Sequence, residues 1–189
     1  MTFKTGTKMN VDIFKTWSEN DLAGIGLARK NDAIEIAIAP DANIYHMTVG
    51  AQIKAGRHDA PAMVFEKPDG TISRWSFGDI DNQATALASD LRARGYGRGD
   101  LIGLHTGMRP ETAIAHMAVC KLGATAVTLS QLYGPDALAH ALNHSQARCL
   151  LSVENAWAPL RESASTLFPH LTDVLVAETT GDEPNLTDI

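Results

Sequence analysis

The spacing of apolar and polar positions changes period several times along this chain, and each change marks an element. After Ser76 the residues Ile80, Ala84, Leu87 and Leu91 recur at i, i+4, i+7 and i+11, with Asp81, Gln83, Asp90 and Arg94 on the opposite side. That is one apolar helical face, opened by Ser76-Phe77-Gly78-Asp79 at capping-box spacing and stopped by Gly95. From residue 101 onward short apolar runs alternate with longer helical ones. They predict strands over 101–105, 125–129, 148–153 and 173–177, and helices over 110–122, 135–143 and 156–168. Pro110 and Pro135 open two of these helices where no backbone N–H is lost. Such alternation predicts an α/β fold: a flavodoxin-like parallel sheet with helices on both faces.

Upstream the pattern differs. Residues 62–66 and 71–75 flank Pro68-Asp69-Gly70, where proline presets φ and glycine accepts a positive one, so the pair reads as a β-hairpin. Asn43 can cap a helix carrying Ile44, Val49 and Ile53 and ending at Gly56, although β-branched Thr48 and Val49 and the mid-run Gly50 weigh against its continuity. Residues 1–42 read as an amino-terminal arm, with a short helix over 21–30 and an alternating run over 33–39 stopped by Pro40. Residues 43–177 form the α/β unit, and 178–189 read as a frayed tail.

Composition narrows the chemistry. A net charge of -6, with 16 Lys and Arg scattered rather than gathered into a stripe, argues against a nucleic-acid partner. No window reaches the roughly 20 apolar residues of a membrane span, and residues 1–10 lack a signal-peptide core. The expected location is cytoplasmic. Cys120 and Cys149, one in a helical and one in a strand pattern, read as buried reduced thiols.

Candidate motifs are few. Gly95-Tyr96-Gly97-Arg98-Gly99-Asp100 resembles a dinucleotide fingerprint, yet it follows a helix and precedes a strand, the reverse of the order that motif needs. It reads as a connection. His140 and His144 stand at i, i+4 without a glutamate between them, so no metal site is expected. His105 ends a strand, where open sheets line ligand crevices, but packing is the favoured reading. No serine sits in a Gly-x-Ser-x-Gly elbow, and no catalytic residue is assigned. The run from Ser130 through Gln131, Leu132 and Tyr133 to Gly134 leaves a strand's carboxyl end and enters a helix. Two readings of it stay open, a ligand-facing loop and a plain connection. Arg161 can reach a phosphate, although a solvated arginine is the default.

Gly99-Asp100, Pro110-Glu111, Lys121-Leu122-Gly123-Ala124 and the string 132–138 (Leu-Tyr-Gly-Pro-Asp-Ala-Leu) together resemble the amino-terminal part of AMP-forming acyl-CoA synthetases. With Asp69-Gly70 and Trp75-Ser76-Phe77, the likeness runs from about Asn43 to Trp157 and is nearest the acetyl-CoA and medium-chain acyl-CoA branch. The resemblance implies the first subdomain of a large amino-terminal domain, from enzymes of fatty acid metabolism that join a carboxylate to CoA through an acyl-adenylate. It implies ATP with magnesium and CoA as the full-length family's cofactors, a carboxylic acid substrate, and the remainder of the synthetase domain as partner.

By the same resemblance Ser130, Gln131 and Leu132 stand near the CoA nucleotide and Arg161 near its 3′-phosphate. The branch carries an aromatic-glycine-glycine run where this chain has Ser130-Gln131-Leu132. The family's phosphate loop ends in Pro-Lys, a dipeptide found nowhere here, and its catalytic lysine lies beyond Lys121, the last lysine of this sequence. The expectation is therefore a truncated ligase subdomain that is inactive alone, binds no cofactor tightly and self-associates through an uncovered apolar face. The alternative is a free-standing flavodoxin-like binding or interaction module without enzyme activity.

Overall fold

The regular stretch from residue 101 to 177 supplies all four strands of one parallel sheet. The computed structural model describes residues 18–24, 27–30, 33–36 and 42–178, together with Gly181 and Asn185. The arm holds α1 (Glu19–Gly24), β1 (Leu27–Lys30) and β2 (Ala33–Ile36). Next come α2 (Ile44–Met47), α3 (Val49–Lys54), β3 (Pro61–Glu66), β4 (Ile72–Ser76) and α4 (Phe77–Ala93). The repeating part runs β5 (Leu101–His105), α5 (Pro110–Leu122), β6 (Thr125–Thr128), α6 (Pro135–Ser145) and β7 (Cys149–Val153). It closes with α7 (Glu154–Trp157), a 3-10 segment (Ala158–Ser163), α8 (Ala164–Leu167) and β8 (Asp173–Ala177).

The sheet order is β6-β5-β7-β8, all parallel. Side-chain parity sorts its two faces. Ile102, Leu104, Cys149, Leu151, Val153, Leu175 and Ala177 pack with α4 and α5. Leu150 and Val176 turn the other way, joining Leu138 and Leu142 of α6, Trp157, Leu160 and Phe168. Gly103 belongs to this second face, and a Cβ there would lie 2.8 Å from Leu150 Cδ1 and 2.9 Å from Leu142 Cδ2. Its missing side chain is what lets α6 lie close to the central strand.

Three expected helices change in detail. The helix over 21–30 is confined to α1, because Gly24 ends it, and Leu27–Lys30 pairs antiparallel with Ala33–Ile36 instead. The helix from Ile44 breaks at Thr48, whose backbone sits at φ -114, ψ -96, although Asn43 caps its start as expected by accepting from the Tyr45 and His46 N–H groups. The helix over 156–168 begins at Glu154 and passes through the 3-10 segment at Pro159, whose ring cannot continue an α ladder. Residues 1–17 and 37–41, and the tail beyond Glu178 apart from Gly181 and Asn185, lie outside the described residues. Asn185 makes a parallel bridge with Val176.

Candidate functional site at the carboxyl edge of the sheet

From β5 the chain crosses to β6 through α5 on one face, then returns past β5 to β7 through α6 on the other. The reversal falls at the carboxyl ends of β5 and β7, the place at which open α/β sheets bind ligands. Four connections converge on this edge: the loop after β5 (106–109), the loop after β6 (129–134), the start of α7, and Glu178 after β8.

The buried polar side chains among the described residues are His105, Thr106 and Ser152, all at the ends of β5 and β7. Thr106 Oγ1 shares a 2.7 Å hydrogen bond with Thr112 Oγ1, and Thr112 donates to the Gly107 carbonyl. Ser152, the register partner of His105, directs its hydroxyl at the His105 carbonyl, 3.4 Å away. Neither ring nitrogen of His105 has a hydrogen-bond partner. Burial pushes this imidazole below its ordinary pKa and outweighs the Ser130 backbone, which acts in the opposite direction. It is therefore neutral near pH 7.

Ser130 to Tyr133 form a turn. The Tyr133 N–H donates to the Ser130 carbonyl at 3.1 Å, and the Leu132 N–H donates to Ser130 Oγ at 3.2 Å. Leu132 is 94% exposed, so its apolar side chain stands off the protein. Gln131 lies across Gly107, which takes φ +73; a Cβ on that glycine would meet Gln131 Oε1 at 2.2 Å. The two loops touch here, and a side chain at residue 107 would force Gln131 aside. Gly134 precedes α6 with Pro135 in its first turn and makes no side-chain cap, while Asp136 places a carboxylate there. That charge opposes an anion at the helix start.

Arg161 also reaches this edge, because the 3-10 segment folds it back on Glu154: Nη2 donates to Oε2 at 2.8 Å. A phosphate must therefore compete with Glu154 for the guanidinium. Arg109 is gripped by Glu178, with N–H donors 3.0 and 3.2 Å from its two oxygens, and by Glu111 at 3.3 Å. Lys121 is spent away from the edge, on Asp81, Tyr45 and Thr85. Each of these cations already has its counter-charge.

The remaining candidates fall elsewhere. The glycine-rich run lies at the opposite edge, between α4 and β5, where Gly95 and Gly99 take positive φ and the Gly97 N–H donates to Asp100. His140 and His144 are exposed and stack with ring centroids 5.8 Å apart. No group of three metal-ligating side chains converges among the described residues. Cys149 is fully buried and its thiol is pushed up to about 12, mainly by burial; Cys120 is half-buried and raised for the same reason.

One feature lay outside the sequence reading. An apolar groove of about 620 Å3 runs between the β3–β4 hairpin, α3, the start of α4 and the start of α5. Val49, Met63, Phe65, Phe77, Ile80 and Met117 line it, and Gly107 to Arg109 form one end. The polar groups at that end are already paired, since His116 bonds the Thr112 carbonyl and the Thr128 hydroxyl. The alternation in residues 62–66 was its only local signal, because the facing wall comes from α5, some fifty positions later.

Comparison with known proteins adds what this arrangement is similar to. The family described as AMP-binding enzyme matches residues 51–187. Acyl-CoA ligase SID4 of Ajellomyces capsulatus is 34% identical over 83 residues, covering 44% of this chain and 14% of the ligase. Acetyl-coenzyme A synthetase of Streptomyces coelicolor is 26% identical over 122 residues, covering 65% of this chain and 19% of the synthetase. The chain thus spans less than a quarter of either curated relative. Among solved structures, the anthranilate CoA ligase AuaEII in complex with anthranoyl-AMP matches 78% of this chain and 26% of its own, with a TM-score of 0.67 and 24% identity. Acetoacetyl-CoA synthetase from Streptomyces lividans matches 77% of this chain and 24% of its own, with a TM-score of 0.68 and 15% identity. Both likenesses establish the shared fold.

Proposed function

The chain belongs to the AMP-binding enzyme family, and from that premise we propose that it is the amino-terminal sheet-and-helix unit of an AMP-forming acyl-CoA synthetase. The whole enzyme would convert a carboxylate, ATP and CoA into acyl-CoA, AMP and pyrophosphate. The observation that carries the reading is the family match over residues 51–187, which includes all four strands of the parallel sheet and the loops of its ligand edge.

In this reading the unit contributes one wall of the CoA site and none of the adenylation chemistry. Stabilising a reacting phosphate needs cations and N–H donors converging on it. Arg109, Lys121 and Arg161 are each held by carboxylates, and the sequence has no Pro-Lys dipeptide. Among the described residues no group of three or more His, Cys, Asp or Glu side chains converges, so they form no all-protein cage for magnesium.

Ser130, Gln131 and Leu132 would face the CoA nucleotide, and Arg161 would turn from Glu154 to a phosphate. The exposed turn suits the first role; the second costs the Glu154 pair, so weak binding is expected. Calorimetry with CoA tests this. The 189-residue chain should bind in the millimolar range, and Arg161→Ala should weaken binding about tenfold, close to the lower end of what a hydrogen bond to a charged group contributes. No heat at millimolar CoA, or an unchanged Arg161→Ala, contradicts the assignment.

The partner is the remainder of the synthetase fold, and the apolar groove is the face that would meet it. Val64 and Ile72 on the hairpin and Met108 at the groove's end are exposed large apolar residues. Without that partner such a surface draws copies together. A strictly monomeric mass in light scattering at high concentration would count against this. No helix among the described residues is long and apolar enough to cross a membrane; a cytoplasmic site of action is part of the proposal.

A further inference from the structure

Two arginines at the carboxyl edge of the sheet carry carboxylate partners of different kinds. Arg161 is held by Glu154 within its own segment, seven positions away. Arg109 is held across the sheet: it follows β5, Glu178 follows β8, and β7 lies between those two strands. The Arg109–Glu178 clasp therefore spans the carboxyl end of β7. It is bidentate, with Nη1 donating to Oε2 at 3.2 Å and Nη2 to Oε1 at 3.0 Å, the fork in which arginine takes a carboxylate or a phosphate.

Glu178 occupies this fork under poor terms. Its side chain is 63% exposed, against 28% for Arg109, so the pair gains little from burial. Among the described residues only Gln146 and Glu178 take a positive φ without being glycine. Gln146 caps α6, where a left-handed residue is ordinary. Glu178 follows a strand and takes φ +59, which costs a residue with a Cβ. Its N–H donates to Asn185 Oδ1 at 3.2 Å, and its carboxylate is on Arg109. Backbone outliers of this kind gather at ligand clamps and switch regions. The Arg109 hydrogen bonds outweigh burial and hold the Glu178 carboxyl below its ordinary pKa, so the occupant is an anion near neutral pH. Arg109 has a second tether that does not involve Glu178, because Nε donates to Glu111 at 3.3 Å in the first turn of α5.

We propose that Arg109 is an oxyanion-binding residue and that Glu178 is its autoinhibitory occupant. A ligand carboxylate or phosphate displaces Glu178 and takes both Nη donors, while Nε stays on Glu111. Opening the clasp returns residue 178 to ordinary backbone and uncovers the carboxyl end of β7. The site binds without catalysing, since one arginine beside Glu111 falls short of the converging cations and N–H donors a reacting phosphate needs. Nothing in this scheme depends on Ser130 to Leu132 or Arg161 facing CoA.

NMR of the full 189-residue chain, titrated with sodium phosphate and separately with sodium acetate at constant ionic strength, reads binding from the amides of residues 106–109 and 178. Glu178→Gln should tighten the anion about threefold to fivefold, the upper part of what a partly exposed ion pair contributes. Arg109→Gln should weaken it about tenfold, the loss of hydrogen bonds to a charged group. Both variants break the same clasp, so a merely structural pair would move stability alike and affinity in neither. Asp100→Asn makes the same charge change at the opposite edge of the sheet, ahead of β5, and should leave affinity within twofold. The anion bound more tightly identifies the ligand group.

Glu178→Gln within twofold of wild type overturns the proposal, as does Arg109→Gln that binds as well as wild type. Asp100→Asn that tightens binding as much as Glu178→Gln overturns it too, because general charge would then account for the gain. So does the absence of any shift in Glu178→Gln with either anion.

Discussion

Leu151→Ala is expected to cost about 2–5 kcal/mol of folding stability, the usual loss when a buried leucine is emptied without collapse of the site. Leu151 is fully buried on β7, with β5 on one side and β8 on the other, and its side chain enters the core shared with α4 and α5. A domain of this size holds only about 5–15 kcal/mol in total, so this one change removes a large share. Chemical denaturation measures it. A loss under about 1 kcal/mol would place Leu151 outside the core, contrary to the sheet order given above. The consequence reaches the carboxyl edge of the sheet, because Ser152 follows on the same strand and Glu154 starts α7 directly after it.

Asp81→Ala is the second large effect, at about 1.5–3 kcal/mol for hydrogen bonds to charged groups. The lower half of that range is expected, because the Lys121 and Asp81 side chains keep 25% and 20% exposure. Asp81 ties three helices together: its carboxylate accepts from Lys121 Nζ of α5 at 2.7 Å and from the Tyr45 hydroxyl of α2. Burial alone would raise the Asp81 carboxyl, but the Lys121 and Tyr45 hydrogen bonds outweigh it and hold it below the ordinary carboxylate value. A carboxyl lowered in the folded state stabilises the fold above its unfolded pKa, and that contribution disappears as pH falls through the folded one. Wild type should therefore shed this stability below about pH 4, whereas Asp81→Ala should show a flatter acid limb. Denaturation curves at pH 3 and pH 7 for both proteins compare the two directly. Equal losses on acidification would contradict the role of Asp81.

Where elements carry their own punctuation, the sequence alone located them. The bounds of β5, α5 and β8 are those expected, with Pro110 starting α5 and left-handed Gly123 ending it at φ +80. The capping box of Ser76 and Asp79 and the hairpin through Gly70 are likewise present. Period counting failed where local backbone chemistry overrode a sound apolar rhythm, at Gly24, Thr48 and Pro159. Placement at the carboxyl edge of the sheet was legible; the pairing of the side chains was not. Ser130 to Leu132 and Arg161 lie near that edge, yet the grip of Glu154 on Arg161 depends on the 3-10 turn that Pro159 imposes. Arg109 with Glu178 joins residues 69 positions apart, and Lys121 with Asp81 joins residues 40 apart. Such pairs leave no periodic signal, because only the packing of distant helices, strands and loops brings them together. The isolation of the His105 ring is of the same kind.

Carboxylate-dependent exchange of pyrophosphate into ATP reports acyl-adenylate formation, and it tests the central claim most directly when run on the purified 189-residue chain with short, medium and long carboxylic acids. A unit proposed to supply part of the CoA wall, with Arg109, Lys121 and Arg161 held by carboxylates, should show no exchange above a protein-free blank for any of them. Exchange that depends on the carboxylate and scales with the amount of chain added would contradict the account, because it would place adenylation within these residues.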